Sequence, residues 1–163
     1  MMIKLMAGVI VGTLVTVGAQ ADDMANRGEY LATIMDCTGC HTGGALAGKP
    51  DAALYLAGSS IGFELPGLGI FYPPNLTPDA DTGLGGWSEA DIIKSLRTGV
   101  RPDGRELAPV MPWRSYSKMT DSDAQALASY LKSLKPVRNA IPQIAASSDA
   151  AKGPYLTVAM PKK

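Results

Sequence analysis

Two cysteines and one histidine are the only residues of their kinds in this 163-residue chain, and they fall within five consecutive positions: Cys37, Cys40 and His41, in "MDCTGCHTGG". A Cys37–Cys40 disulfide would add little stability, because the entropy removed from the unfolded chain grows with loop length and this loop is tiny. A redox dithiol places Cys-x-x-Cys beside a βαβ pattern, and no alternation of strands and helices surrounds residue 37. A structural zinc site takes four protein ligands, one more than this motif offers. Attachment of a c-type haem uses all three residues. In a helical turn, residues three apart share a face at about 5–6 Å. Both sulfurs can then reach one porphyrin edge as thioethers, and the next residue, His41, can reach the iron.

His41 supplies one axial position and no second histidine exists. A Lys or Tyr could fill the other, but Met sulfur is the common partner in electron-transfer cytochromes. Beyond the first 21 residues the candidates are Met24, Met35, Met111, Met119 and Met160. Met111 lies in "LAPVMPWRSY", where Pro109 and Pro112 forbid a regular helix and stiffen a loop that can press one side chain onto a haem face. Met119 precedes a helix cap and reads as a hydrophobic staple. Met24 and Met35 are too close to the attachment turn to reach the opposite face, and Met160 is in a terminal tail. Met111 is the predicted ligand.

Attachment of haem c occurs outside the cytoplasm, and the start of the chain agrees. Lys4, the apolar residues 5–18 and Ala19-Gln20-Ala21 read as a secretory signal peptide cleaved after Ala21. The rival, an uncleaved anchor, is disfavoured because the apolar run is shorter than the roughly 20 residues of a bilayer span. A periplasmic location is expected. Fifteen basic residues balance fifteen acidic ones, which argues against a broad nucleic-acid surface.

The elements that must position these residues follow from periodicity and caps. Residues 24–35 predict a helix feeding the motif. Residues 42–86 are rich in Gly and Pro, with one short extended segment expected in "GLGIFYPPNLTPD"; so long a loop suits the wrapping of a haem edge. A helix follows in "GWSEADIIKSLRTG", with Ser88 and Asp91 forming a capping box and Gly99 ending it. The last helix, in "TDSDAQALASYLKSLK", is capped by Thr120 and stopped by Pro136. Its stripe of Leu127, Tyr130, Leu131 and Leu134 is expected to pack on the first helix. The predicted organisation is a leader, residues 1–21, a domain, 22–139, and a C-terminal tail, 140–163. The tail joins a small polar linker, "SSDAAKG", to an apolar "PYLTVAMP" that folds back on the domain or docks on a partner.

With these elements placed, the chain resembles the class I c-type cytochromes. More narrowly, it looks like the cytochrome c domains in cytochrome subunits of periplasmic alcohol, gluconate and aldehyde dehydrogenases. The resemblance rests on "RGEYLATIMDCTGCHT", "FYPPNLTPDADTGLGGWSEADIIKSLRTG" and "LAPVMPWRSYSKMTDSDAQALASYLKSLKPV", roughly residues 24–140. It implies an all-α fold of short helices and long loops around one covalent haem c. It also supports Met111, and it places Asn75, Trp87 and Arg97 at the haem edge or its propionates. Those relatives often carry three such domains, whereas this chain has one attachment motif and an added tail. The implied function is one-electron transfer from a dehydrogenase to a cytochrome or oxidase, without substrate chemistry of its own. The alternatives are a haem enzyme or gas sensor with an open iron site, for which Arg97, Arg101, Arg105 or Arg114 would be the polar distal group, and an interaction subunit whose haem is structural.

Overall fold

A computed structural model describes residues 17–161. The expected leader, residues 1–21, lies for the most part outside the described residues. Helix α1 (Val17–Ile34) leads to the attachment motif. The chain then breaks at Asp36, whose φ of 57° is left-handed, a conformation that Asp tolerates better than most residues. Helix α2 (Cys37–His41) starts afresh from there as a single turn. Two 3₁₀ turns and a hairpin, β1 (Gly62–Leu65) and β2 (Gly69–Phe71), fill much of the long loop. Helices α3 (Glu89–Thr98), α4 (Trp113–Tyr116) and α5 (Asp121–Ser133) follow, and strand β3 (Tyr155–Leu156) comes from the tail.

The expected caps are formed. Ser88 Oγ accepts the Asp91 N–H at 3.1 Å, and Asp91 Oδ2 accepts the Ser88 N–H at 2.9 Å. Gly99 closes α3 with φ 73°, and Thr120 Oγ1 accepts the Asp123 N–H at 3.1 Å to open α5. Helix α5 packs on α1 as its apolar stripe predicts: Leu31 and Ala32 join Leu127, Ala128 and Leu131 in one buried cluster, which α3 completes with Ile92 and Leu96. At the crossing, Gly28 of α1 lies directly on α5. A Cβ there would overlap the Ala126 carbonyl oxygen and the Tyr130 Cβ, so the missing side chain sets how closely the helices approach.

The all-α expectation needs a correction. A small three-stranded sheet is present, in the order β2-β1-β3. Strand β2 is antiparallel to β1, and β3 runs parallel to β1 with Gly62 opposite Tyr155 and Phe63 opposite Leu156. Strands of two to four residues are too short to display a period of two, and β3 pairs only across most of the chain length. The tail therefore folds back on the domain as far as Leu156, while Val158 and Met160 stay 76% and 82% exposed. Ala145 exchanges both backbone hydrogen bonds with Ile70, at 2.7 and 3.1 Å. Tyr72 Oη donates to the Gly153 carbonyl at 2.8 Å. No helix among the described residues is long and apolar enough to cross a membrane.

Gly28→Ala separates packing from helix propensity. Ala gains up to about 1 kcal/mol as a helix former, but forced overpacking costs about 1–3 kcal/mol. Urea unfolding should show a net loss, whereas Gly86→Ala, with open space around it, should be near neutral. Truncation after Asn139 removes four hydrogen bonds that hold the tail at Ile70 and Tyr72. At about 1 kcal/mol each, the melting temperature should fall measurably; an unchanged value would show that the tail contributes nothing to the domain.

Candidate functional site

The single turn of α2 places Cys37 and Cys40 three residues apart, and both line one wall of a cavity of about 360 Å³. His41 lines the same cavity and is buried. Its Nδ1 lies 2.8 Å from the Pro74 carbonyl oxygen. A carbonyl can only accept, so Nδ1 must carry the hydrogen, and in the neutral ring Nε2 keeps its lone pair for a metal. Burial pushes the His41 pKa down, against the raising effect of the Pro74 carbonyl. The ring is thus a neutral donor at pH 7.

The thiols do not suit redox exchange. Burial pushes Cys37 up to about 11 and raises Cys40 as well. At neutral pH roughly one Cys37 in ten thousand would be thiolate, whereas a reactive dithiol needs a depressed pKa. Among the described residues, no group of three or more His, Cys, Asp and Glu side chains could hold a metal ion.

Met111 also lines the cavity. It sits in a tight turn between Pro109 and Pro112: its N–H donates to Ala108 O at 2.8 Å, and its carbonyl accepts the Trp113 N–H at 2.8 Å. Met119 packs on the helical core and does not line the cavity. Met24 and Met160 are exposed. Met35 does line it, directly upstream of the motif.

The remaining expected contacts divide. Trp87 lines the cavity. The loop carrying it is tied to α5 by Lys132, whose ammonium donates to the carbonyls of Leu84, Gly85 and Trp87 at 2.8–3.1 Å. Asn75 forms part of the wall and is 1% exposed, but its amide is fully spent. Nδ2 donates to Thr82 Oγ1 and Val137 O, and Oδ1 accepts from the Thr77 N–H and hydroxyl. It builds the wall and has no hydrogen bond left for a ligand. Arg97 is absent from the lining. From the last turn of α3 its guanidinium turns to the start of α5, donating to Met119 O at 3.2 Å and Asp121 Oδ1 at 2.7 Å. Arg97 is thus placed away from the cavity that the other expected residues line. Arg101 and Arg105 line the cavity instead, brought there by the turn "RPDGRE", where Gly104 adopts φ 82°. A Pro-Asp-Gly turn is readable in sequence, but the cavity it faces is not.

Residues 25–135 match the cytochrome c family model, and the chain belongs to the cytochrome c family. It is 38% identical to the cytochrome c subunit of the quinone alcohol dehydrogenase of Gluconobacter oxydans, over 74% of this chain and 24% of that one. It is 38% identical to the gluconate 2-dehydrogenase cytochrome c subunit of Pantoea cypripedii, over 85% of this chain and 31% of that one. The fructose dehydrogenase cytochrome subunit of Gluconobacter japonicus matches at 36% over 69% of this chain and 22% of its own length. The chain thus spans a third or less of these relatives. The family implies covalently bound haem c, and the residues fit it: two thiols and a buried imidazole with a free Nε2 open onto one largely apolar cavity.

Asn75→Ala tests the wall. It leaves the buried Thr77 N–H without a partner, at a cost of about 1–3 kcal/mol, and leaves Val137 O with only the 3.3 Å bond from the Thr77 hydroxyl. Thermal stability should drop strongly while the absorption spectrum of the folded holoprotein stays unchanged. A changed spectrum at full stability would make Asn75 a ligand contact after all.

Proposed function

We propose that this chain is a periplasmic, monohaem c-type cytochrome of class I fold, with His41 and Met111 as axial ligands. It would pass single electrons from a dehydrogenase to a respiratory cytochrome or oxidase. One observation carries the reading: Cys37, Cys40, the His41 ring and Met111 all line one cavity. Bound haem c supplies reversible one-electron chemistry. The chain's own contribution is to hold that group still. The Pro74 carbonyl fixes the His41 tautomer and orientation. The prolines on both sides of Met111 limit how far its sulfur can move between redox states. Leu84, Leu96, Leu127 and Leu131 line the cavity and keep it apolar; Met ligation favours the reduced form.

The dehydrogenase partner is supported by the relatives, which are named as cytochrome subunits of alcohol, gluconate and fructose dehydrogenases. The single Cys-x-x-Cys-His motif supports one haem, although one relative, 35% identical over 69% of this chain and 36% of its own length, is a diheme c-type cytochrome of Cereibacter sphaeroides. In this reading the chain is an electron-transfer subunit and not itself an enzyme. A haem protein with an open iron site is the second reading, favoured by Arg101 and Arg105 in the cavity.

Haem should remain attached after denaturation and acidic-acetone extraction, and Cys37→Ala or Cys40→Ala should abolish mature holoprotein. The ferric protein should show the weak near-infrared band of Met sulfur on iron. Met111→Ala should remove that band, admit carbon monoxide and lower the potential; Met119→Ala should keep the band. Carbon monoxide binding by the unmodified ferrous protein would favour the open-site reading.

A further inference from the structure

Arg101 has an environment that the protein alone leaves incomplete. Among the described residues, its Nε is the buried side-chain polar atom with no hydrogen-bond partner. The nearest carboxylate oxygen, Asp103 Oδ2, is 3.5 Å away, beyond a normal hydrogen bond. That oxygen is already engaged: Arg105 donates to it from Nε at 3.0 Å and from its terminal nitrogen at 2.8 Å. Burial accordingly pushes the Arg101 pKa down, and the neighbouring Arg105 charge adds to the effect. Leaving a buried cationic donor without a hydrogen-bond partner is costly, and an anion at the cavity would relieve that cost.

Here the frame is built. The Arg101 N–H donates to Arg105 O at 2.9 Å, and its carbonyl accepts the Gly104 N–H at 3.0 Å. Val100 and Glu106 close the loop as an antiparallel bridge. Ser95 Oγ anchors this loop to α3 by donating to Val100 O at 3.0 Å. The guanidinium carbon lies 5.2 Å from the Trp87 ring centroid, and Trp87 is itself tied down through Lys132. Arg101 is thus held from below by an aromatic face and from behind by its own loop, and it lines the cavity. A planar fork of donors so restrained fits a carboxylate.

Haem brings two carboxylates, its propionates, and no other anionic group. We propose that Arg101 pairs with a propionate carboxylate of the bound haem, with Asp103 holding Arg105 as a second cation further out at the cavity mouth. This rests on the haem-binding reading above. Arg101 would hold the carboxylate negative in an apolar surrounding and cancel its charge. Without the cation, the remaining negative charge stabilises ferric iron, and the midpoint potential falls.

The test uses full-length holoprotein of wild type, Arg101→Gln, Arg101→Lys, Arg97→Gln and Arg138→Gln. The last removes a surface arginine that pairs with Asp81. Mass spectrometry first establishes one covalent haem in each; haem missing from wild type would sink the haem reading itself, independently of Arg101. Voltammetry and the resonance Raman propionate-bending band are then read without any redox partner. R101Q should lower the potential and shift the band well beyond R138Q. R101K should keep more of the potential but still shift the band, because Lys keeps the charge and loses the fork; it also serves if R101Q does not accumulate. The proposal is overturned if R101Q and R101K match R138Q in both readouts, or if R97Q produces the shifts instead.

Discussion

The 2.8 Å hydrogen bond between His41 Nδ1 and the Pro74 carbonyl joins a single helical turn to a loop with no regular structure. An isolated turn of five residues has no stability of its own, so α2 must be held from outside. Pro73 and Pro74 fix φ and supply no N–H, and the Pro74 carbonyl accepts from the ring. Asn75 then locks the loop with four hydrogen bonds, two of them to Thr77 and one to Val137 beyond α5. From the other side, the Gly58 N–H donates to the His41 carbonyl at 2.7 Å. Between them Leu56 adopts a φ of 53°, a conformation costing a Leu about 1–2 kcal/mol. Its side chain is fully buried, and burying a Leu gains about 1.5–3 kcal/mol, enough to offset that strain. The orientation of one imidazole is therefore the outcome of packing across the whole domain.

What the sequence made legible was local. The attachment motif needs only five residues. The Ser88–Asp91 box, the Gly99 stop and the Thr120 cap each depend on neighbours within one turn, and each is formed. The α1–α5 contact was legible because apolar stripes announce which faces must be buried. Met111 in the cavity followed from two flanking prolines. The parts that escaped are decided at long range. Arg97 and Arg101 are both basic residues near the end of α3, and only the folded loop shows which one faces the cavity. Asn75 lines the cavity, yet its amide is consumed by groups that no local pattern reveals. The sheet escaped because its strands are short and one of them comes from the far end of the chain.

The cavity combines two demands that pull against each other. A redox centre that changes charge by one unit is best kept in an apolar, rigid surrounding, where little has to reorganise. The charges that tune it must nevertheless be near. The chain separates the two: leucines from α3, α5 and the loop before α3 line the interior, while Arg101, Arg105 and Asp103 come together on one turn. Ion pairs this exposed contribute little to stability. Arg105 and Asp103 are both about half exposed, so their pairing serves to position charge more than to hold the fold.

The tail shows how a small domain can close around a large group without a large core. A two-stranded hairpin is marginal in water, and its open edges are liabilities. Here the tail clasps the hairpin on both sides. Ala145 bonds to Ile70 on the outer edge of β2, and β3 adds to the outer edge of β1. Between them Tyr72 is anchored to Gly153 through its hydroxyl, which both donates to the carbonyl and accepts the N–H. Phe63, Phe71 and Tyr72 of this hairpin line the cavity, as does Ile144 of the tail. The clasp therefore stiffens a wall of the site as well as burying an edge. Past Leu156 no strand pairing holds the chain, and Val158 and Met160 are exposed.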